Sequence, residues 1–315
     1  MLTRKYAALI LLSFVALVCS SFIAPRSIPL QKQPLKRIVI DAGHGGSDAG
    51  ASGAYSKEKD ITLAIALKLE AMLHQEMPDV DIVMTRRTDV FDPVTRKAEI
   101  ANEAKGDLFV CIHVNEGGGP IKHSEFTGYH EETYYTGKGK KKKKHTRKVK
   151  DYNTWYTPNP AKGTETFIYG VDKADAAKEA LSTHEDLYLD SVSARQLKDF
   201  NPTDPAKMMI INMKTQSYFA RSANLAMTIE DEFKNVGRVS REAKQRQKGI
   251  WVLQAVAMPA VLVETGFISN PEEEDYLNSE NGQRETCEVL VKALKRYRYS
   301  LEKQVAGQDA VNGRN

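Results

Sequence analysis

Residues 38–58, IVIDAGHGGSDAGASGAYSKE, constrain this chain more than any other stretch. The β-branched run Ile38, Val39 and Ile40 reads as a buried strand, and the glycines after Asp41 let the backbone turn sharply around one histidine, His44. Ile61, Ala64, Ile65, Leu69, Met72 and Leu73 then recur at helical spacing, with Asp60 as the expected N-cap and Glu58 at the mouth of the helix. A βα unit of this kind places its turn at the carboxyl end of a strand, where open α/β sheets bind ligands. It brings an imidazole and a carboxylate towards a common point.

The same grammar repeats downstream. Residues 81–85 (DIVMT) read as a second strand, and residues 86–93 as a loop leading into a helix through Val94, Ala98, Ala101 and Ala104. Residues 108–112 (LFVCI) form an apolar run expected of a strand buried on both faces, and His113 follows immediately. Residues 164–169, 249–253 and 260–264 read as further strands. Residues 207–235 and about 281–302 read as helices, the first with Met209, Met213, Phe219, Leu225, Ala226, Ile229 and Phe233 as core positions. This alternation predicts a three-layer α/β fold: a largely parallel twisted sheet flanked by helices, in one domain over 37–303 with a long inserted loop.

The ends and the insertion read differently. Arg4 and Lys5 precede an apolar run too short to span a bilayer, so residues 1–21 are expected to be a cleaved signal peptide for export to the periplasm or cell envelope. Cys19 raises a lipoprotein alternative, disfavoured by Leu17 and Val18 before it. Residues 22–36 read as a linker and 304–315 as a polar, frayed tail. Residues 116–162 lose apolar periodicity and read as a surface loop. Although the chain carries a net charge of +4, residues 137–150 hold nine basic side chains and no acid, so the remainder is net negative. Lys138, Lys150 and the basic side chains between them are either a solvated loop or a contact for an anionic envelope polymer. Export argues against nucleic acid.

Three residues have the composition of a hydrolytic zinc site: His44, Glu58 and His113. Such sites take three nitrogen or carboxylate ligands and leave the fourth position to water, whose pKa falls from about 15.7 to about 7. Glu264, ending the apolar run 260–263, is placed to act as a general base that is not a ligand. Asn115 and Thr265 are candidates to line the cleft. Arg86 and Arg96 are candidates to hold substrate carboxylates, against the alternative of pairing with scaffold acids. A dinucleotide fingerprint fails because Asp48 stands where its last glycine belongs, and neither a serine nucleophile elbow nor a P-loop lysine is present.

IDAGHGGSDAGA, a helix-opening glutamate, TRRTDVFDPVTRKAEIAN, LFVCIHVN and PAVLVETGFISNPEEEDYL occur in that order. In this combination the chain resembles the zinc-dependent N-acetylmuramoyl-L-alanine amidases of the amidase type 3 family. The resemblance implies one Zn2+ ion on His44, Glu58 and His113 with Glu264 catalytic. It also implies hydrolysis of the amide between N-acetylmuramic acid and L-alanine in peptidoglycan, in wall remodelling or daughter-cell separation. Cys111 departs from the family's serine and Val114 from its small alanine. By the same resemblance, residues 171–215 are a candidate occluding segment, relieved by a protein activator. A zinc peptidase acting on the stem peptide and a non-catalytic wall-binding protein remain open alternatives.

Overall fold

In the computed structural model, residues 35–170, 205–246 and 250–312 are described, the side chains of 205–208 and 304–312 excepted. The expected signal peptide with Cys19, nearly all of the linker and residues 171–204 of the expected regulatory segment lie outside the described residues. All the described residues belong to one compact unit, Pro34–Asn315.

Strands β1 (Arg37–Ala42), β2 (Asp81–Met84) and β3 (Leu108–Asn115) are joined by helices α1 (Glu58–Glu76) and α2 (Val94–Glu103). After a two-stranded ribbon, β4 (Ile121–Thr136) and β5 (Lys143–Thr157), come β6 (Thr164–Tyr169), α3 (Pro205–Asn235) and β7 (Ser240–Arg246). Helix α4 (Trp251–Ala255), β8 (Ala260–Phe267), α5 (Pro271–Asn278) and α6 (Glu280–Asn312) close the chain. The main sheet has the order β2-β1-β3-β8-β6-β7. Its first four strands are parallel, and β6 runs antiparallel to β8.

Strand parity builds the layers. Successive side chains point to opposite faces. Ile38, Ile40, Leu108, Val110, Ile112, Val261 and Val263 therefore join the core beneath α1, α3 and α6. Val39, Phe109, Cys111, Ala260 and Leu262 join a second core with Ala98 and Ala101 of α2 and Val252 and Leu253 of α4. Both faces are covered, which is why these strands read as unbroken apolar runs. The carboxyl ends of β1, β3 and β8 share one edge of the sheet. Among the described residues, no helix is long and apolar enough to cross a membrane.

Several local expectations are corrected. Helix α1 begins at Glu58, and Asp60 lies inside its first turn. Of the core positions expected in α3, Leu225, Ala226, Ile229 and Phe233 are buried, but Met209 and Met213 are exposed. Within the expected strand at 249–253, the described residues open α4, since a short apolar run does not separate strand from helix. The neighbouring strand is the polar β7, at the sheet edge, where charged side chains are tolerated. Helix α6 continues to Asn312 through the expected frayed tail. Residues 205–215 of the expected regulatory segment are the first turns of α3. Instead of a surface loop, most of 116–162 is the β4–β5 ribbon, whose register runs from Ile121–Thr157 to Thr136–Lys143. It showed no apolar alternation because most of its side chains on both faces are exposed.

Candidate metal centre

The turn after β1 is shaped to bring His44 back towards β3. The Gly43 N–H donates to the Ile112 carbonyl at 3.0 Å, and His44 itself adopts a left-handed φ of 59°. At Gly50 (φ 65°) a Cβ would fall 2.5 Å from Glu58 Oε2 and 2.6 Å from the His44 ring, so only glycine fits. Two buried cations brace this turn. Arg86 donates to the carbonyls of Ala42, Gly43 and Lys59 at 3.0, 2.8 and 2.8 Å. Lys97 donates to Ala42 O at 2.8 Å and lies 2.9 Å from Asp41 Oδ1. Thr85 Oγ1 and Cys111 Sγ also donate to Asp41, at 2.6 and 2.9 Å.

The loop leading into α1 is fixed from the far end of the chain. Asn270 caps α5, accepting from the Glu272 and Glu273 N–H groups with Pro271 at the first turn. This cap turns Glu274 inward to accept from the backbone N–H of Ala54, Tyr55 and Ser56 at 2.8, 3.0 and 2.9 Å. Glu273 in turn holds Arg238, Gly163 N–H and Phe267 N–H. Glu58 is thereby delivered to a defined place. Its Oε2 accepts from Ala51 N–H at 2.8 Å and its Oε1 from Val114 N–H at 3.0 Å.

From that position Glu58 Oε1 lies 2.8 Å from His113 Nδ1, and Oε2 lies 3.1 Å from His44 Nε2. The two imidazoles meet edge to face at 4.8 Å between centroids. One ligand atom from each of His44, Glu58 and His113 falls within 4.8 Å of the other two. Burial opposes ionisation of Glu58, yet hydrogen bonds from His113 and His44 outweigh it and hold the carboxyl well below the usual range. Burial likewise opposes a charged His44, but Glu58 and Asp48 outweigh it and raise its pKa. Asp48 Oδ2 sits 2.8 Å from His44 Nδ1, leaving Nε2 to face Glu58. Two ring nitrogens and a buried carboxylate converging on one point suit a divalent cation with nitrogen and oxygen preference.

A second grouping, Asp41, Cys111 and His113, also satisfies proximity. Its chemistry suits a cation poorly. Asp41 is already neutralised by Lys97. Cys111 is fully buried and burial raises its thiol pKa well above the ordinary value, so it acts as a donor to Asp41.

Glu264 lies on β8 in register with His113 on the adjacent strand. Its carboxyl is buried, and among the described residues Oε2 has no hydrogen-bond partner. Burial pushes its pKa up to about 7, with His113 pulling down and Glu58 pushing up. Arg246 approaches Oε1 at 3.7 Å. Four of the residues named from sequence are therefore gathered at one sheet edge. The other four sit differently. Arg86 is buried with its donors on backbone carbonyls and Thr62 Oγ1, and Arg96 is on the surface of α2, where it pairs with Glu99 and Glu103, the scaffold acids that were its alternative. Thr265 is fully buried, donating to His113 O at 3.0 Å. Asn115 accepts from Glu116 N–H at 2.9 Å and is half-buried at the end of β3. Sequence reasoning passed over Asp48, Lys97 and Glu274. For Asp48 a signal existed: an acid four residues after a candidate ligand, within the same glycine turn.

The family profile described as N-acetylmuramoyl-L-alanine amidase (Amidase_3) matches residues 38–296. The amidase AmiC of Escherichia coli O6:H1 is 28% identical over 265 residues, which are 82% of this chain and 52% of that protein. AmiA of Escherichia coli K12 is 25% identical over 270 residues, 85% of this chain and 78% of that protein. This chain thus spans about half the length of AmiC. The crystal structure of an N-acetylmuramoyl-L-alanine amidase from Clostridium difficile 630 superposes with a TM-score of 0.52 at 22% identity, covering 84% of this chain and 97% of that one, and so shares the fold.

Proposed function

Because this chain belongs to the N-acetylmuramoyl-L-alanine amidase family, we propose that it hydrolyses the amide between the lactyl group of N-acetylmuramic acid and L-alanine of the peptidoglycan stem peptide. The observation that carries this reading is the convergence of His44, Glu58 and His113 beside the unpartnered, buried oxygen of Glu264.

His44, Glu58 and His113 would hold a single zinc ion, with Asp48 orienting the His44 ring. Bound there, zinc supplies Lewis-acid polarisation of a carbonyl and acidifies water. Glu264 takes a proton from the attacking water and returns it to the departing alanine nitrogen. The buried setting of Glu264 keeps solvent from competing for that proton. Action on peptidoglycan places the protein in the cell envelope, which fits the signal expected at residues 1–21. An activator acting on residues 171–204 belongs to the same proposal.

The test is digestion of purified sacculi by the zinc-loaded chain, read by mass spectrometry. An amidase releases peptides beginning with L-alanine and leaves glycan strands whose muramic acids carry free lactyl carboxylates. Cleavage confined to bonds within the stem peptide would overturn the reading in favour of a peptidase.

A further inference from the structure

The β4–β5 ribbon has two unlike faces, and the difference points to a ligand. The ribbon is a separate sheet from the one that carries the metal centre. Its register, with a bulge between Phe126 and Gly128, assigns every side chain to a face by alternation. On one face the polar groups satisfy each other across the strands. His130 pairs with Asp151, Arg147 with Glu132, His145 with Thr136, and His123 with Thr157, while Tyr134 stacks on His145 and Trp155 on His123.

On the opposite face the rings pack on one another, and Lys142 lies 5.9 Å from the centroid of the Tyr135 ring. Phe126 contacts Tyr129 and Tyr152 at ring-centroid distances of 5.1 and 5.9 Å, the bulge having brought Phe126 and Tyr129 to the same side. Tyr156 and Tyr135 extend this row towards the two ends of the ribbon. All five rings are exposed, from 48% for Phe126 to 62% for Tyr156. Lys122, Lys144, Lys148 and Lys150 share that face, and among the described residues none of them forms an ion pair; Glu131 is the one acid among them. Sixteen residues of β4 give the row a length of about 50 Å.

We infer that this aromatic and lysine face of the β4–β5 ribbon is a docking surface for a peptidoglycan glycan strand, separate from the metal centre. Exposed rings along an extended ribbon, three of them packed edge to face about Phe126, offer apolar surface to a linear polymer of sugar rings, on whose apolar faces tyrosine and phenylalanine pack. The unpaired lysines complement the carboxylates that stem peptides carry at intervals along such a strand. A lipid surface fits less well: four of the five rings carry hydroxyls, and no Leu, Ile or Met stands on this face to enter acyl chains. The choice of glycan as occupant rests on the amidase reading. By holding the polymer while individual bonds are cut, the ribbon would keep the protein on an insoluble substrate.

The test uses the full chain in chelator, so that nothing is digested, and measures co-sedimentation with sacculi stripped of secondary polymers and, separately, with phosphatidylglycerol vesicles. Phe126→Ser with Tyr152→Ser is one variant, Lys144→Gln with Lys148→Gln and Lys150→Gln a second, and Tyr134→Ser on the other face the control. We expect each of the first two to weaken sacculus binding by about tenfold or more and the control to leave it unchanged. Hydrolysis of a small soluble muropeptide by the zinc-loaded proteins stays the same. Should the aromatic variant unfold the ribbon by circular dichroism, the lysine variant decides. Unchanged sacculus binding in the lysine variant, an equal loss in the control, or binding to vesicles alone would overturn the inference. Sedimentation with sacculi without any muropeptide hydrolysis would refute the amidase reading and leave the docking surface standing; hydrolysis without sedimentation would refute only the docking.

Discussion

Asp48 Oδ2 lies 2.8 Å from His44 Nδ1, on the ring edge opposite the nitrogen that faces Glu58. A carboxylate in that position fixes the tautomer that leaves Nε2 free to ligate and raises its basicity, and removing such a partner costs about 10–100-fold in metal affinity. Asp48→Ala is therefore expected to weaken zinc binding by about that factor, read by competition with a chromogenic chelator, while thermal stability of the metal-free protein changes little. Unaltered affinity would mean that Asp48 only supports the turn through Gly50 N–H.

Gly50→Ala places a methyl against both Glu58 and His44 at a left-handed φ, so the variant must shift one of the two ligands. Strain of this kind costs about 1–3 kcal/mol. Denaturant unfolding should show that loss, and zinc titration should show a weakened site even where the fold persists. A Gly50→Ala protein with intact stability and zinc affinity would contradict the geometry.

Lys97 and Asp41 form a pair buried on both sides. Breaking a buried pair by removing one partner costs about 3–5 kcal/mol. Lys97→Met should lower the unfolding midpoint accordingly, and Lys97→Met with Asp41→Asn should recover part of the loss. Burial opposes the Asp41 charge, but Lys97, Cys111 and Thr85 outweigh it and hold its pKa below the ordinary value. The folded protein thus gains stability from this carboxylate above the ordinary carboxylate range and loses it as pH falls, so Lys97→Met should flatten the acid side of the stability profile.

Glu264 has the opposite sign. Its carboxyl is pushed up to about 7 from 4.5, so across that window the folded, metal-free protein binds a proton that the unfolded chain releases. Stability falls as pH rises through the window, by up to about 3 kcal/mol. Urea unfolding in chelator at about pH 5 and about pH 8 should therefore show Glu264→Gln gaining on the wild type at the higher pH. Turnover of that variant should be nearly abolished with zinc affinity retained. A stability difference that is the same at both pH values would show that Glu264 titrates normally.

How much of the fold and the site is legible in the sequence depends on what each residue faces. Strands buried on both sides announce themselves as apolar runs, so β1, β3 and β8, and with them His44, His113 and Glu264 at their ends, are readable. Glu58 is readable because a glycine turn and a helix bracket it. Strand β7 and the ribbon are not, because their stability comes from edge pairing and cross-strand contacts that leave no apolar periodicity. For Arg86 sequence offers a substrate carboxylate or a scaffold acid as partner, and cannot show that its donors go to the carbonyls of Ala42, Gly43 and Lys59. Glu274 is invisible for the same reason: its partners lie 218 to 220 residues away.

X-ray absorption at the zinc edge of the metal-loaded chain tests the central claim most directly, because the two candidate groups share His113 and differ in sulfur. Coordination by His44, Glu58 and His113 predicts only nitrogen and oxygen neighbours at about 2.0–2.2 Å, with imidazole scattering from two rings. A sulfur shell at about 2.3 Å would place the ion on Cys111 and Asp41 and contradict the account.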